Sequence, residues 1–363
     1  MENRDEFAQL LYQTVFNNIT TPDEVKQLLT PLRDWIKENI PEKLYRFRSI
    51  SKYSINALQK DEIWGSTIQT FNDPFECLPC YNIDTINQYI DNEISVSLFN
   101  SKLQQVTANN IPKEITDTFS PEIIENMRAM STQLADNPFL PEFLSQAKQM
   151  LISQWESQME NFRTQFILDI LRHENLYNIA CFSESYRSTP MWAHYANSHS
   201  GFCIEYDMKS SLVECLNNCG SVHTCPGFML NFAIAPVIYQ EKRYDASAGF
   251  MSMLVNWAIE TNKIPMSNHY YDMFLPTKTM LTKYKSWEYE QEWRLFKRSS
   301  PESHTNHAMI ASLKPTAVYL GARIKEHNKK RLINICREKC IPCYQMLPQY
   351  FTSTYESEAY QLL

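Results

Sequence analysis

The chain has 363 residues, of which 44% are hydrophobic, and a formal net charge of -7. That length and hydrophobic content allow one large core or two ordinary ones, as expected of a globular protein. The negative charge and the absence of a Lys/Arg-rich run argue against a broad nucleic-acid-binding surface. The sequence contains neither GxGxxG nor GxxxxGK[ST], so two common Gly-rich phosphate loops are excluded.

The sequence predicts neither export nor membrane insertion. The N-terminal stretch MENRDEFAQLLYQTVF mixes acids and bases and lacks the apolar core of a signal peptide. The longest apolar stretches, around 231–239 and 248–259, are too short or too polar to span a membrane. Ten cysteines without an export signal are typical of reduced thiols, so we expect a cytoplasmic protein with no membrane partner.

Hydrophobic periodicity predicts an α+β fold with a mixed or mainly antiparallel sheet and flanking helices. Residues 1–40 are predicted to be helical, and the second helix begins with Thr21 as N-cap and Pro22 at its first position. Further helices are expected near 53–60 and 325–338. Strands are predicted at 44–49, 62–68, 178–183, 201–207, 235–240, 287–296, 316–321 and 343–347.

Apolar residues recur every three or four positions between about 82 and 175, which predicts an all-helical insertion. The insertion divides the α+β core into 41–81 and 176–350. N-terminal helices at 1–40 precede this core, and a C-terminal tail at 351–363 follows it.

The stretch WEYEQEWRLF, residues 287–296, alternates aromatic and polar side chains. A period of two is typical of a strand and would place Glu288, Glu290 and Glu292 on one face together with Arg294. Carboxylates at this spacing raise one another's pKa. Two interpretations stay open: a solvent-facing side on which Arg294 pairs with the glutamates, or a cleft lined with acids.

Other polar and aromatic stretches also have structural interpretations. Arg46 and Arg48 share one face of the first predicted strand and could pair with the glutamates across neighbouring strands. Asn72 and Asp73 precede a proline, a pattern typical of a turn. Residues 191–195 could form a helix whose Met and Trp fill the core while its His points outward.

Several groups of side chains have the chemistry of metal ligands. These are Cys77 and Cys80 with Cys340 and Cys343; Cys215, Cys219, His223 and Cys225; and His194, His199, Asp73 and Glu76. The two CxxC pairs lie about 260 residues apart and would form a zinc site only if both ends of the chain meet. The other spacings are generic, so buried cysteines are the default and no metal is favoured. The third group would indicate a metal-dependent phosphodiesterase or nuclease.

Four stretches in chain order carry a family resemblance. They are LYRFRS (44–49), FNDPFE (71–76), CFSESYRSTPMWAHYANSHSGFCIEYD (181–207) and WEYEQEWRLF (287–296). This combination resembles the bacterial domain-of-unknown-function 2971 family, whose closing strand is similar to KPTAVYLGARI (314–324). The resemblance spans roughly residues 43–345 without the helical insertion, and it implies no particular activity.

A second resemblance implies an activity. Arginine on a first strand, serine after a middle strand and Glu-x-Glu on a late strand are similar to the Arg-Ser-Glu arrangement of ADP-ribosyltransferases. The resemblance implies NAD as a substrate, with Arg46 or Arg48 on its pyrophosphate, Ser183 supporting the nicotinamide ribose, Glu292 catalytic and Glu290 beside it. Tyr45, Trp192 or Tyr195 would stack on a ring, and Asn72 and Asp73 would complete the nucleotide site.

The enzyme hypothesis and its alternative make different structural predictions. An ADP-ribosyltransferase or NAD glycohydrolase, acting on an intracellular macromolecular acceptor or on water, requires Arg46, Ser183 and Glu292 to converge on one open pocket. A non-catalytic sensor or interaction module would instead pair these charges in a buried network without a cavity.

Overall fold

A computed structural model of the chain describes residues 2–15, 21–89, 92, 120–122, 124–125, 177–210, 234–252, 272, 274–298 and 306–363. Most of the predicted helical insertion and the whole cysteine and histidine group at 215–225 lie outside these residues. The chain divides into two compact units. The first comprises Met1–Leu78, Leu171–Tyr244 and Pro276–Leu363, and the second comprises Pro79–Ile170 and Asp245–Leu275.

The described residues form helices and strands that confirm the predicted α+β class. The helices are α1 (Glu2–Gln13), α2 (Pro22–Asn39), α3 (Lys52–Gln59), α4 (Ile83–Tyr89), α5 (Thr189–Tyr195), α6 (Leu275–Met280) and α7 (Glu326–Lys339). The strands are β1 (Lys43–Arg48), β2 (Glu62–Ser66), β3 (Tyr177–Ser183), β4 (Phe202–Asp207), β5 (Ile234–Pro236), β6 (Ile238–Gln240), β7 (Thr282–Tyr284), β8 (Glu292–Arg298), β9 (His307–Ser312), β10 (Ala317–Leu320), β11 (Cys343–Pro348) and β12 (Ser357–Gln361).

The start of α2 confirms the predicted capping residues. The Thr21 side chain accepts a hydrogen bond from the backbone N–H of Glu24, and the Glu24 carboxylate accepts one in return from the backbone N–H of Thr21 at 2.8 Å. This reciprocal pair satisfies two N–H groups that the helix itself leaves unbonded, and Pro22 occupies a position where its missing N–H costs nothing.

The main sheet has the strand order β12-β11-β10-β4-β1-β3-β2-β9, and β8 joins it by pairing with β3 and β5. Its pairs are antiparallel except for β10 with β11, which are parallel. Strands β6 and β7 form a separate parallel pair. This strand order places β1, β3 and β8 side by side, and these three strands carry half of the predicted site residues, namely Tyr45, Arg46, Arg48, Ser183 and Glu292.

The sheet opens along one edge of β3. Strand β8 pairs with β3 over its full length, but β1 meets β3 only at Ser183 and β2 meets it only at Ile179. Cys181, which lies between these two positions, therefore has a paired strand on one side only. The side chain of Arg46 crosses this opening and donates a hydrogen bond to the carbonyl oxygen of Trp64 on β2.

The predicted strand over 287–296 is wrong in its first half. Lys285–Glu290 form a 3-10 helix, Gln291 adopts a left-handed conformation with φ of 46°, and β8 begins only at Glu292. The N–H of Gln291 donates to the carbonyl oxygen of Glu288 at 3.1 Å, which closes this turn. Glu288 and Glu290 therefore lie on the 3-10 helix and only Glu292 lies on β8, so the three glutamates do not share a strand face.

The segment described above as a C-terminal tail contributes β12, which pairs with β11 at the edge of the sheet.

Gly201 lies at a close approach of two backbone segments. A Cβ atom at this position would lie 2.3 Å from the carbonyl oxygen of Arg48 and 2.9 Å from that of Ala196. We expect Gly201→Ala to lower the free energy of unfolding by about 1–3 kcal/mol, because backbone atoms cannot yield as a flexible side chain can. Urea unfolding measures the change, with Ser49→Ala at the exposed neighbour of Arg48 as control. Equal midpoints for the two variants would contradict this steric account.

Candidate functional site

A cavity of about 420 Å³ lies in the first unit at the opening of the sheet. It is lined by all of the predicted site residues except Trp192 and Asp73, namely Tyr45, Arg46, Arg48, Asn72, Ser183, Tyr195, Glu290 and Glu292. We call it the central cavity. Its volume falls within the usual range for small-molecule sites, which is roughly 300–1,000 Å³.

Trp192 and Asp73 have structural positions instead. Trp192 is 2% exposed, and its indole N–H donates to the carbonyl oxygen of Tyr186 at 2.7 Å while its ring packs edge-on against Phe47. The carboxylate of Asp73 accepts a hydrogen bond from the N–H of Phe75 at 2.9 Å, as expected of a turn. Trp192 therefore packs in the core and does not offer a ring to the central cavity, whereas the predicted helix at 191–195 is present as α5.

One end of the central cavity is formed by buried charges. The ammonium group of Lys283 lies 2.7 Å from a carboxylate oxygen of Glu290, 3.1 Å from one of Glu292 and 3.4 Å from one of Glu76. Arg294 pairs with Glu292 through two nitrogens at 2.8 and 3.1 Å and also contacts Glu76. We call these five residues the buried charge network.

The buried charge network corrects two sequence-based interpretations. Glu290 and Glu292 do not lie on a solvent-facing side, since both are at most 3% exposed. Their partners are Lys283 and Arg294, and the described ion pairs of both glutamates do not involve Arg46 or Arg48. Arg294 is fully enclosed, and burial lowers the pKa of its guanidinium to about 9, so it remains charged at neutral pH.

Glu290 has the properties of a group that exchanges a proton near neutral pH. Burial raises the pKa of Glu290 to about 7, repulsion from Glu292 adds to the effect, and Lys283 opposes it. The hydroxyl of Tyr195 donates to Glu290 at 2.6 Å, and the amide of Asn72 lies 3.5 Å from that hydroxyl. A carboxyl group with a pKa near the working pH is suited to general acid or base catalysis.

The raised pKa of Glu290 also predicts a pH-dependent stability. The folded chain binds this proton more tightly than the unfolded chain, so the contribution of Glu290 to stability is fully present below about pH 4.5 and is lost as the pH rises through about 7. We expect the free energy of unfolding of the wild type, relative to Glu290→Gln, to fall by about 3 kcal/mol over that window. Urea unfolding of both proteins between pH 4.5 and 8 measures it. Parallel stability curves would show that Glu290 titrates normally.

The other end of the central cavity carries positive charge without a neighbouring acid. Among the described residues, Arg46 and Arg48 have no carboxylate within ion-pair distance. Burial, with a smaller contribution from the nearby charge of Arg48, lowers the pKa of Arg46 to about 10, so Arg46 still carries its charge at pH 7. Burial also lowers the pKa of Arg48. The Arg46 guanidinium also lies 5.7 Å from the centre of the Phe182 ring. Two enclosed cations without an anion form a ready site for a phosphate or diphosphate.

Ser183 is the last residue of β3 and lies where this strand meets both β1 and β8. It pairs with Tyr45 on β1 and with Glu292 on β8, and its hydroxyl oxygen accepts a hydrogen bond from the N–H of Ser185 at 3.4 Å. On the same face of β3, the thiol of Cys181 donates a hydrogen bond to the Glu292 carboxylate, and burial raises the pKa of this thiol. Ser183 therefore lies between β1, which carries Arg46 and Arg48, and Glu292 at the start of β8.

Sequence patterns did not indicate several residues that support Glu292. Lys283 comes from β7 and belongs to no pattern in the sequence. Glu76 is the last residue of FNDPFE, and the sequence indicates it only as a possible metal ligand, not as a partner of Lys283 and Arg294. The backbone N–H of Glu292 donates to the Tyr239 hydroxyl at 2.7 Å, and its carbonyl oxygen accepts from Arg4 of α1 at 3.1 Å. These contacts join segments that are distant in sequence, so only the folded structure reveals them.

The metal sites considered from the sequence are not assembled in the part of the chain that the structure describes. There, no group of three or more His, Cys, Asp or Glu side chains is arranged to hold a metal ion. Cys343 of the second CxxC pair is a free, buried cysteine whose side chain shares a hydrogen bond with the thiol of Cys336 on α7. Glu76 belongs to the buried charge network, where Lys283 and Arg294 neutralise it.

Comparison with known proteins gives one family. Residues 191–295 match the family model described as "Protein of unknown function (DUF2971)". The match confirms the predicted family resemblance over these residues. It covers α5 from Met191, β4 and the segment from β5 to Leu295 of β8, and so contains Tyr195, Lys283, Glu290 and Glu292.

No curated protein and no solved structure matches the chain. No helix within the described residues is long and apolar enough to cross a membrane.

Proposed function

We propose that this protein binds NAD in the central cavity and cleaves its nicotinamide bond, passing the ADP-ribose to an acceptor or to water. The observation that carries the proposal is the convergence of Arg46, Ser183 and Glu292 on one cavity. This convergence is what the enzyme hypothesis requires. The proposal treats NAD as a substrate, and a macromolecular acceptor remains part of it.

The two ends of the cavity suit the two parts of such a substrate. The unpaired guanidinium groups of Arg46 and Arg48 would hold the diphosphate through bidentate hydrogen bonds. The end that is formed by the buried charge network, with Glu290 and Glu292, would lie near the ribose that carries nicotinamide. Tyr45 and Phe71 also line the cavity and offer aromatic surface for a ring.

The carboxylates would act on the sugar carbon. As the bond from ribose to nicotinamide breaks, the sugar acquires oxocarbenium-like positive charge, which nearby carboxylates stabilise. Glu292 is fixed by Arg294 and Lys283 and so provides a positioned negative charge. Glu290, whose pKa is about 7, would accept the proton of the attacking acceptor or water.

A second candidate function is supported by the pairing of the same charges. Lys283 and Arg294 together neutralise most of the charge on Glu76, Glu290 and Glu292, as the non-catalytic module predicts. That module also predicts the absence of a cavity, which the described residues contradict. A nucleotide-binding sensor that does not cleave its ligand would fit both the paired charges and the presence of a cavity.

Both candidate functions require NAD to bind at the end of the central cavity that carries Arg46 and Arg48, and calorimetry tests this requirement. Isothermal titration calorimetry of the wild type with NAD should give a measurable heat, and Arg46→Gln should weaken binding at least tenfold, because a charge-assisted contact to the diphosphate is lost. Arg187→Gln serves as control, since Arg187 is exposed and does not line the cavity. Equal affinities of the wild type and Arg46→Gln for NAD would show that the diphosphate does not bind at this end of the cavity.

A further inference from the structure

Helix α1 packs in the first unit but, among the described residues, lines no part of the central cavity. The side chains of Phe7 and Leu11 on its inner side are fully buried, and the Phe7 ring lies 4.9 Å from the ring of Trp35 on α2. The indole N–H of Trp35 donates to the Glu6 carboxylate at 3.0 Å. Packing against α2 thus fixes α1 in place, and its two ends contact the segments that form the buried charge network.

Arg4, near the start of α1, binds three groups at once. One terminal nitrogen of its guanidinium donates to the carbonyl oxygens of Val237 at 2.6 Å and of Glu292 at 3.1 Å, and the other donates to the Glu184 carboxylate at 2.7 Å. The guanidinium also lies 5.4 Å from the centre of the Tyr239 ring. Because a planar guanidinium directs its N–H groups along fixed directions, these contacts set the relative positions of the segments that they join.

Both backbone groups of Glu292 are bound by this set of residues. Its carbonyl oxygen accepts from Arg4 and also from the N–H of Val237 at 2.9 Å. Its N–H donates to the hydroxyl of Tyr239 at 2.7 Å, and the Tyr239 ring is the one that Arg4 contacts. Glu292 follows the left-handed Gln291 and begins β8, so the direction of its side chain depends on how its backbone is held at this point.

The other end of α1 contacts the segment that carries Lys283. The hydroxyl of Tyr12 is hydrogen-bonded to the hydroxyl of Thr282 at 2.9 Å, and the carbonyl oxygen of Tyr12 accepts from the ammonium group of Lys278 at 3.4 Å. Thr282 directly precedes Lys283 on β7. Helix α1 therefore binds the chain beside both Lys283 and Glu292, whose side chains meet at 3.1 Å.

We propose that Arg4 is a positioning residue that acts through Glu292, which makes α1 a part of the active site. This inference rests on the proposed function, in which the Glu292 carboxylate stabilises the sugar as the nicotinamide bond breaks. Arg4 does not touch the ligand. It sets the place of the Glu292 backbone, while Arg294 and Lys283 hold the carboxylate itself. A small misplacement of a catalytic group lowers the rate by a large factor, even when its cause lies away from the reacting atoms.

Steady-state nicotinamide release and calorimetry of NAD binding test this role together. Arg4→Ala should lower kcat by about 10–10²-fold and leave the dissociation constant for NAD within about twofold of the wild type, because Arg46 and Arg48 are untouched. Added ethylguanidinium should restore part of the rate of Arg4→Ala, since it returns a planar donor to a site where the arginine side chain is 18% exposed. Gln9→Ala, at an exposed position of the same helix, is the matched control.

Tyr239→Phe tests the same contact if Arg4→Ala does not fold. It removes only the hydroxyl that accepts from the N–H of Glu292 and keeps the ring that Arg4 contacts. We expect the same pattern, a lower kcat with an unchanged affinity for NAD. A wild-type kcat in both variants, or a loss of kcat that comes with a matching loss of NAD affinity, would overturn the proposal.

Hydrogen exchange at the start of β8, measured by mass spectrometry, gives a readout that does not need activity. In Arg4→Ala the backbone N–H groups of the segment that contains Glu292 should exchange about tenfold faster than in the wild type or in Gln9→Ala, because the backbone of Glu292 has lost a partner. Equal exchange in the three proteins would overturn the positioning role of Arg4, whether or not NAD is cleaved. Faster exchange in a protein that releases no nicotinamide would overturn only the proposed function and support the positioning of Glu292 by Arg4.

Discussion

Replacing Lys283 with methionine should lower the free energy of unfolding by about 3–5 kcal/mol, one of the two largest effects we expect. Lys283 is 6% exposed and contacts three carboxylates, and only Arg294 would remain to neutralise them. Removing one partner of a buried ion pair leaves the other charge unsolvated and uncompensated. Urea unfolding at pH 7.5 measures the loss, and Lys285→Met at a nearby exposed lysine is the matched control.

The origin of that destabilisation can be tested by a second substitution. Adding Glu290→Gln to Lys283→Met removes one of the carboxylates that have lost their compensating charge, so the double variant should be more stable than Lys283→Met alone. Lowering the pH toward 5 should also restore stability, because the uncompensated carboxyl groups then bind protons. If neither change helps, the lysine acts through packing rather than through its charge.

The second large effect concerns catalysis by Glu290. We expect Glu290→Gln to reduce the rate of NAD cleavage by about 10²–10⁴-fold, the usual contribution of a general acid or base. Glutamine keeps the size of the side chain and a hydrogen bond to Tyr195 but cannot accept the proton. The rate of nicotinamide release at saturating NAD measures the effect, with Glu288→Gln as the control from the same segment, since Glu288 does not line the cavity.

Two further observations would decide whether Glu290 acts in this way. The wild-type rate should rise with pH through a pKa near 7 as Glu290 loses its proton, and NAD affinity should be nearly unchanged in Glu290→Gln. A rate loss that comes with a large increase in the dissociation constant for NAD would instead assign Glu290 to substrate binding.

Much of the site could be predicted because its chemistry is carried by local patterns. The alternation of LYRFRS places Arg46 and Arg48 on one strand face, and the structure brings both to the central cavity. The turn at Asn72 and Asp73 and the helix at 191–195 also follow from local preferences. In each of these cases the residues that determine the structure lie within a few positions of one another.

The incorrect or missing predictions depend on contacts between distant segments. The alternation in WEYEQEWRLF continues a strand pattern through Gln291, yet the left-handed backbone at that residue ends one element and begins another. Lys283 contacts Glu290 at the end of the 3-10 helix and Glu292 at the start of β8, one on either side of that break. Lys283 and Arg4 show no sequence signal, and Glu76 is indicated only as part of FNDPFE and as a possible metal ligand, because the folded chain alone brings it to Arg294 and Lys283.

Nicotinamide release from NAD by the purified wild-type protein, with and without cell lysate to supply an acceptor, tests the central claim most directly. The proposed function predicts release that Glu292→Gln loses while both proteins remain folded. No release, together with no calorimetric binding of NAD, would contradict the claim and leave Glu290 and Glu292 as members of a structural charge network.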